Sequence, residues 1–283
     1  MAFEIAVGSA EDVARMSAWA DDEGWNPGNT DGLAFHAADP GAFLIGRLDG
    51  TPLACISVVR YGAGFGFLGY YIARPEIRGK GYGIQLWRAG MARLAGRTVG
   101  LDGVVAQQDN YAKSGFVRAW NNIRYEGVPG GVPATAPSSP PAGVTLVDAR
   151  SLPFDRLAAY DRRFFPAARD SFLAPWISLP ERSALAAVKQ GEIVGLAVLR
   201  ACRAASRIGP LYGATPEIAA ALIGALSAGK AVAIDVPDIN RPAVALMQRL
   251  GLAPSFETAR MYAGAAPTVD LAGLFGTTSL ELG

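Results

Sequence analysis

Residues 78–83 read Arg78-Gly79-Lys80-Gly81-Tyr82-Gly83, three alternating glycines set among two cations and a tyrosine. Glycine at every second position leaves the main chain bare. Consecutive amide N–H groups can then converge on one anion, helped by the positive end of a following helix. Arg78 and Lys80 add charge that suits phosphate, and the geometry suits a pyrophosphate. A short glycine-rich turn also serves as an ordinary helix entry, so the flanking elements matter. Upstream, residues 65–73 form an apolar run that predicts a buried strand, broken by Pro75. Downstream, Ile84, Leu86, Trp87, Met91 and Leu94 recur at roughly helical spacing. Strand, glycine turn and helix follow in the order that an anion site requires.

Bulk properties exclude several other chemistries. With 283 residues and 51 % apolar content, the chain has room for one large domain or two of ordinary size. A formal net charge of +1, with scattered basic residues and no helix-turn-helix pattern, gives no general attraction to nucleic acid or anionic membranes. The 18 % charged content is below that of an average soluble protein, which points to interfaces or large buried areas. Cys55 and Cys202 lie far apart in apolar runs, which predicts buried free thiols and a reducing cytoplasm. No run approaches the ~18 apolar residues of a membrane span, and the N-terminus does not read as a signal peptide. His36 is the single histidine, and no Cys or carboxylate cluster has ligand spacing, so no metal is expected. A Ser-His-Asp mechanism would depend on His36, and no nucleophile-elbow pattern accompanies it.

Residues 127–143 are rich in proline and glycine, have no apolar period, and read as a stiff linker between domains at 1–126 and 144–283. The two parts resemble each other. Each opens with a β-hairpin, turning at Leu48-Asp49-Gly50 in the first and Gln190-Gly191-Glu192 in the second. Each follows with a strand ending in Tyr-x-x-x-Pro-Glu-Ile, from Tyr71 to Ile77 and from Tyr212 to Ile218. A helix, a short strand ending in Leu101-Asp102 or Ile234-Asp235, a second helix and a Gly-apolar step complete both. This order reads as tandem copies of one α/β fold. The copies diverge at the glycine turn: aligned on Pro-Glu-Ile, residues 78–83 face Ala219-Ala220-Ala221-Leu222-Ile223-Gly224, and Tyr111 faces Met247. The second copy is therefore expected to hold no phosphate and to support a site in the first. Its Gly224-Ala225-Leu226-Ser227-Ala228-Gly229-Lys230 run imitates a nucleotide P-loop. However, Ala231 stands where Ser or Thr belongs, and the run passes from helix to strand, the reverse of the required order.

The first half resembles the GNAT superfamily of acyl-CoA-dependent N-acyltransferases. Its signature, Arg/Gln-x-x-Gly-x-Gly/Ala, is matched by Arg78, Gly81 and Gly83, and Asn110-Tyr111-Ala112-Lys113-Ser114-Gly115-Phe116 is similar to the family's later motif. The whole chain looks like two-domain bacterial members in which one domain is active. The resemblance implies α/β (α+β) tandem folds, each a central mixed, mostly antiparallel sheet flanked by helices. It also implies acetyl-CoA as cosubstrate. Its pantetheine would run along Tyr71, Ile72 and Ala73, and its diphosphate would rest on Arg78, Gly79, Lys80, Gly81, Tyr82 and Gly83, with Asn110 nearby. Tyr111 takes the family's acid position, protonating the departing thiolate with a phenol of unperturbed pKa about 10. A backbone N–H near Ile72 would polarise the thioester carbonyl, as in relatives.

The general base has no single candidate, since the fourth strand carries no carboxylate. Glu76 reads as an exposed partner in the turn beside Arg78. Glu23 and Asp102, better placed if the loops fold over the acceptor, each read equally well as solvated charges. The acceptor is expected at the acidic, turn-rich residues 21–31, with Glu23, Trp25, Asn26 and Asp102 as contacts. Trp25 either covers the acceptor or simply anchors the loop. Residues 160–172, aromatic and charged, either wall the cleft or join the domains. The expected reaction is transfer of acetyl to a primary amine of a small molecule by direct attack, in a monomer or homodimer. A protein or peptide acceptor, or a non-catalytic CoA-binding sensor, stands as the alternative.

Overall fold

The computed structural model describes residues 2–130 and 139–283; the middle of the expected linker, residues 131–138, lies outside the described residues. The first half begins β1 (Phe3–Val7), α1 (Ala10–Asp22), α2 (Asp31–Ala38), β2 (Phe43–Leu48), β3 (Thr51–Tyr61) and β4 (Phe65–Ala73). It continues α3 (Tyr82–Arg93), β5 (Thr98–Val104), α4 (Gln108–Ala112) and β6 (Phe116–Gly127). The second half repeats the plan with β7 (Val144–Asp148), α5 (Phe154–Asp161), α6 (Asp170–Ser178), β8 (Arg182–Lys189), β9 (Glu192–Arg200) and β10 (Ser206–Gly213). Then come α7 (Pro216–Ser227), β11 (Val232–Pro237), α8 (Arg241–Arg249), β12 (Ala253–Ala263) and a short further strand, β13 (Leu274–Gly276).

Local chemistry accounts for many of these boundaries. Asp49 and Gly50 have φ of 48° and 82°, and Gln190 and Gly191 have 52° and 82°, so the same tight turn closes the hairpin of each half. Positive φ at both central residues gives the type I′ turn, whose twist matches that of paired strands. A capping box starts α1: Ser9 Oγ accepts the Asp12 N–H at 3.2 Å, and Asp12 Oδ2 accepts the Ser9 N–H at 3.1 Å. The P-loop imitation is the end of α7, closed by left-handed Ala228 and Gly229 on the way into β11.

The strands join in one sheet of order β1-β2-β3-β4-β5-β12-β6-β11-β10-β9-β8-β7, with β13 paired to β10. The halves exchange their last strands. Had each kept its own, β5 would lie beside β6 and β11 beside β12. Instead β12 pairs with β5 from Thr258↔Val104 to Ala263↔Val99, and β6 pairs with β11 from Asn122↔Pro237 to Gly127↔Val232. β6 and β12 also pair with each other, joining the halves into one sheet. Neighbours are mostly antiparallel; β4 with β5 and β10 with β11 are parallel.

One apolar cluster lies under α3, another around α7 and α8, and a third spans the junction through Phe35, Tyr70, Phe172 and Trp176. Residues 160–172 belong to that junction: Phe165 meets Tyr61 edge-on at 4.8 Å, and Phe172 stacks on Phe35 at 6.2 Å. Buried charges there are matched, Arg182 and Arg200 on Asp31, Arg124 and Arg207 on Asp235. Removing one partner of such a pair costs about 3–5 kcal/mol. The Asp31 pairs and the Arg124–Asp235 pair cross between the halves, so charge as well as apolar contact fixes their orientation. Cys55 is buried and Cys202 half-buried, both as free thiols. Among the described residues, no helix is long and apolar enough to cross a membrane.

Candidate active site

Parallel pairing of β4 with β5 runs from Phe65↔Thr98 to Leu68↔Leu101 and stops. Beyond Leu68 the strands part, and β4 bulges. Its register with β3 shifts between Ser57↔Gly69 and Cys55↔Ile72, and Tyr70 takes a φ of 45°. A bulge bends its strand and leaves the extra residue unpaired. Residues 69–73 therefore present backbone to a cavity of about 520 Å³ between the parted strands. Gly69 is required here, because a Cβ would lie 2.0 Å from the Glu281 carbonyl oxygen where the C-terminal segment crosses β4.

At the mouth of the cavity, Pro75–Ile77 forms a single 3₁₀ turn, and the glycine run follows. Gly79 and Gly81 have φ of 74° and 82°, with open space where a side chain would project. Gly81 enters α3 in the left-handed conformation, and no side chain caps the helix. The first-turn N–H groups of α3 thus lack intrahelical partners and point outward, at the positive end of the helix dipole. Alternating left-handed glycines and an uncapped helix start make a nest for an anion. Lys80 is exposed beside it, whereas the Tyr82 ring packs on Phe3 at 4.8 Å.

The Arg78 side chain departs from the expected phosphate contact. Its Nε donates to the Ala73 carbonyl at 2.8 Å and its Nη2 to Glu23 Oε1 at 2.5 Å. The guanidinium ties the turn to the end of β4 and to the residue after α1. This pair is half-exposed and worth at most about 1 kcal/mol, so an incoming phosphate can displace it.

Tyr111 lines the cavity from α4, stacked on Trp87 at 5.5 Å with the rings 23° apart. Burial, with a smaller contribution from Tyr71, pushes its phenol up to about 12. The group keeps its proton throughout the physiological range. Asn110, its neighbour, faces a second groove of about 650 Å³ between α3 and α4, which meets the cavity at Tyr71 and Tyr111. Asn110 Nδ2 donates to Gln107 Oε1 at 2.7 Å.

The expected acceptor residues divide. Glu23 and Trp25 line the cavity, and the Trp25 carbonyl accepts Arg124 Nη1 at 2.9 Å, holding the loop in place. Asn26 turns away. Its Nδ2 donates to the Ala205 carbonyl at 2.8 Å and its Oδ1 accepts the Ala204 N–H at 3.1 Å, so it staples the loop to the second half. Asp102 borders the cavity, but both oxygens are engaged. Arg260 grips them at 2.8 and 2.6 Å, and Asn122 Nδ2 donates to Oδ1 at 2.7 Å. Burial pushes the Asp102 carboxyl up against the pull of Arg260 and Asn122. It is a structural counter-ion, unsuited to act as a free base. Glu76 is exposed in the turn and does not line the cavity, and His36 sits on α2, 6.5 Å from the Phe43 ring.

Four cavity residues come from the second half and were not anticipated: Phe256 and Thr258 on β12, and Leu280 and Glu281 in the C-terminal segment. Strand exchange brings the first two there. The sequence did carry one sign for the last, a lone acid between two leucines, since a carboxylate flanked by apolar residues is seldom left in the interior without a task. Among the described residues, no group of three or more His, Cys, Asp or Glu could hold a metal.

The second half differs at every point. Its Pro-Glu-Ile begins α7 directly, capped by Thr215, so residues 219–224 are turns of a buried helix and form no nest. Its parted strands are filled: β13 pairs with β10 at Leu211↔Gly276 and Tyr212↔Leu274, and the Thr277 N–H bonds the Asp235 carbonyl of β11 at 2.8 Å.

Residues 9–116 match the family model described as acetyltransferase (GNAT) family, and residues 157–276 match the one described as acetyltransferase (GNAT) domain. The chain is 29 % identical over 279 residues to the holothin acyltransferase of Pseudoalteromonas sp. (strain SANK 73390), covering 97 % of this chain and 92 % of that protein. A Pyrococcus horikoshii protein assigned as an acetyltransferase superposes with a TM-score of 0.81 at 18 % identity, over 99 % of this chain and 96 % of its own. A tandem GNAT protein from the clavulanic acid biosynthesis pathway superposes with a TM-score of 0.63 at 17 % identity, over 94 % of this chain and 100 % of its own.

Proposed function

Since the chain belongs to the GNAT superfamily of acyl-CoA N-acyltransferases, we propose that its first half moves an acetyl group from acetyl-CoA to a primary amine of a small molecule. The observation that carries this reading is the uncapped glycine nest set directly beside the parted β4 and β5. The residues present suit acyl-CoA. A diphosphate fits the amides of Gly79, Gly81 and the first turn of α3 with Lys80 alongside, and an extended arm fits the backbone of Tyr71, Ile72 and Ala73. When bound, that cosubstrate supplies an activated thioester carbonyl.

The chain's own groups then act on charge and protons. A bulged-strand N–H near Ile72 is suited to donate to the carbonyl oxygen as negative charge develops there. Tyr111 Oη holds a proton ready for the departing sulfur. Trp25 covers the acceptor side, and the acidic loop around it favours a cationic amine. The cavity of about 520 Å³ lies within the range of about 300–1,000 Å³ of small-molecule sites, and with the thioester arm along residues 71–73 the room left in it suits a small acceptor. A relative named for acylating holothin supports the same choice. Two free thiols are consistent with a reducing cytoplasm.

The test is calorimetry with CoA, followed by thiol release from acetyl-CoA in the presence of holothin, benzylamine, cadaverine or a lysine peptide. Release should depend on a small amine. Tyr111→Phe should lower kcat by about 10²–10³ and leave CoA affinity within about twofold. With its pKa raised, the phenol stays protonated below about 12, so loss of this acid should slow the reaction only as pH rises toward that value. CoA binding without release across the panel would replace this reading with a CoA-binding sensor.

A further inference from the structure

Thr258 on β12 and Glu281 in the C-terminal segment line the first half's cavity, and each carries one buried polar atom, Oγ1 and Oε2, without a hydrogen-bond partner. Buried polar groups are nearly always matched, so two orphans at one cavity call for a ligand. Other acids at the cavity are already matched, Asp102 by Arg260 and Glu23 by Arg78. Glu281 is not. Its Oε1 stands 3.6 Å from Arg207 Nη1, an ion pair without a hydrogen bond, while the other arm of Arg207 reaches Asp235. Arg207 on β10 and Tyr70 on β4 are the charged and titratable groups that face it. The backbone around Glu281 is held firmly, since Tyr61 Oη donates to the Leu282 carbonyl at 3.0 Å and Ser279 Oγ accepts the Leu282 N–H at 3.0 Å.

We propose that Glu281 is the base of the transfer reaction and that Thr258 Oγ1 positions the same amine. The missing base of the first half is thus supplied by the second. This rests on the N-acyltransferase reading above. The amine reacts as its neutral base, its ammonium proton having passed to solvent, and the nitrogen gives one further proton to Glu281 Oε2 as it forms the C–N bond to the acyl carbon. The C–S bond breaks, and the sulfur takes the Tyr111 Oη proton. Solvent carries the proton from Glu281 to the Tyr111 phenolate, so an amine and a thioester become an amide and a thiol with both residues restored.

The whole 283-residue chain and its Glu281→Gln, Glu281→Asp and Thr258→Val variants decide the matter. CoA affinity, which depends on the first half's nest, should stay within about twofold in all of them and certifies folding. Glu281→Gln should lose about 10²–10³ in kcat, and Glu281→Asp should recover part of that loss. Thr258→Val should raise KM about tenfold and leave kcat within about twofold. Benzylamine binding to the CoA-loaded protein, read by calorimetry, should weaken about tenfold or more in Glu281→Gln. If Glu281 served only as counter-ion to Arg207, Glu281→Gln would lower the unfolding midpoint and leave rate and benzylamine binding unchanged, and the assignment would fall. A wild-type protein that binds CoA but acylates no amine would instead refute the acyltransfer reading. The benzylamine arm would then still decide whether Glu281 receives an amine.

Discussion

The gap between β4 and β5 and the gap between β10 and β11 occupy the same place in two copies of one fold, yet one is a cavity and the other is packed. In the first half, parallel pairing ends at Leu68↔Leu101 and the strands open onto glycine, tyrosine and bulged backbone. In the second, pairing has ended by Arg207↔Ala233, and β13 wedges into the opening, pinned by Asn240 Nδ2 on the Leu274 carbonyl at 2.9 Å. The segment that fills one gap then continues as residues 277–283 to furnish the floor of the other, with Leu280 and Glu281. On the proposed reading, a duplicated fold keeps one site and uses the other gap as an anchor for a strand that serves the first. The difference is visible in how the same gap is filled.

The sharpest way to break this contrast is to make one substitution at two aligned positions. Gly81→Val forces a β-branched residue to φ 82°, a conformation costing such a residue about 1–3 kcal/mol, unless the turn rearranges and its amides disperse. CoA affinity should fall about 10- to 100-fold by calorimetry. The aligned Leu222→Val lies fully buried inside α7 and removes one methylene, so it should cost about 1 kcal/mol in urea unfolding and leave CoA affinity unchanged. Equal losses of affinity in both would mean that the second half also holds the cofactor.

A smaller effect should link the two gaps. A Cβ on Gly276 would come within 2.9 Å of Ile234 Cγ2 and 3.1 Å of Leu211 Cβ, so Gly276→Val overpacks the filled gap. Stability should drop by about 1–3 kcal/mol. Glu281 lies five residues further along the same segment, so amine-dependent turnover should fall with it while CoA affinity holds. Unchanged turnover would uncouple the wedge from the cavity.

What the sequence disclosed was local. The Asp49-Gly50 and Gln190-Gly191 turns, the apolar run of residues 65–73 and the glycine alternation each determine backbone geometry within a few residues, and so the fold class was legible. The strand exchange was not. β6 and β12 read as ordinary closing strands in their own halves, and nothing in their alternation says whether β12 pairs with β11 or with β5, because pairing partners are chosen by non-local contact. Asn26 read as an acceptor contact because it lies in the acidic, turn-rich loop, and Asp102 lines the cavity as a bound carboxylate. Neither reading could foresee Ala204 and Ala205 on Asn26 or Arg260 on Asp102, all more than a hundred residues away. The repeated Pro-Glu-Ile was legible as a repeat but not as two structures, a 3₁₀ turn before glycines and a helix start after Thr215. The residues that follow the triplet decide between them, since alanines propagate a helix that left-handed glycines interrupt.

The least effect separates the main chain of the nest from its side chains. Arg78 is a signature residue, yet its guanidinium is turned toward Ala73 and Glu23. If the amides carry the phosphate, Arg78→Ala should weaken CoA binding only about two- to fivefold, matching the roughly 0.4–1 kcal/mol of a half-exposed charge contact. It should change stability by about 0.5 kcal/mol or less. That small loss should shrink further between low salt and about 0.5 M salt, because an exposed contact is screened over a few ångströms there. Calorimetry at the two salt concentrations reads both quantities. A loss of thirtyfold or more would show that the guanidinium abandons Glu23 for the diphosphate, and the first half's grip would then depend on charge as much as on bare backbone.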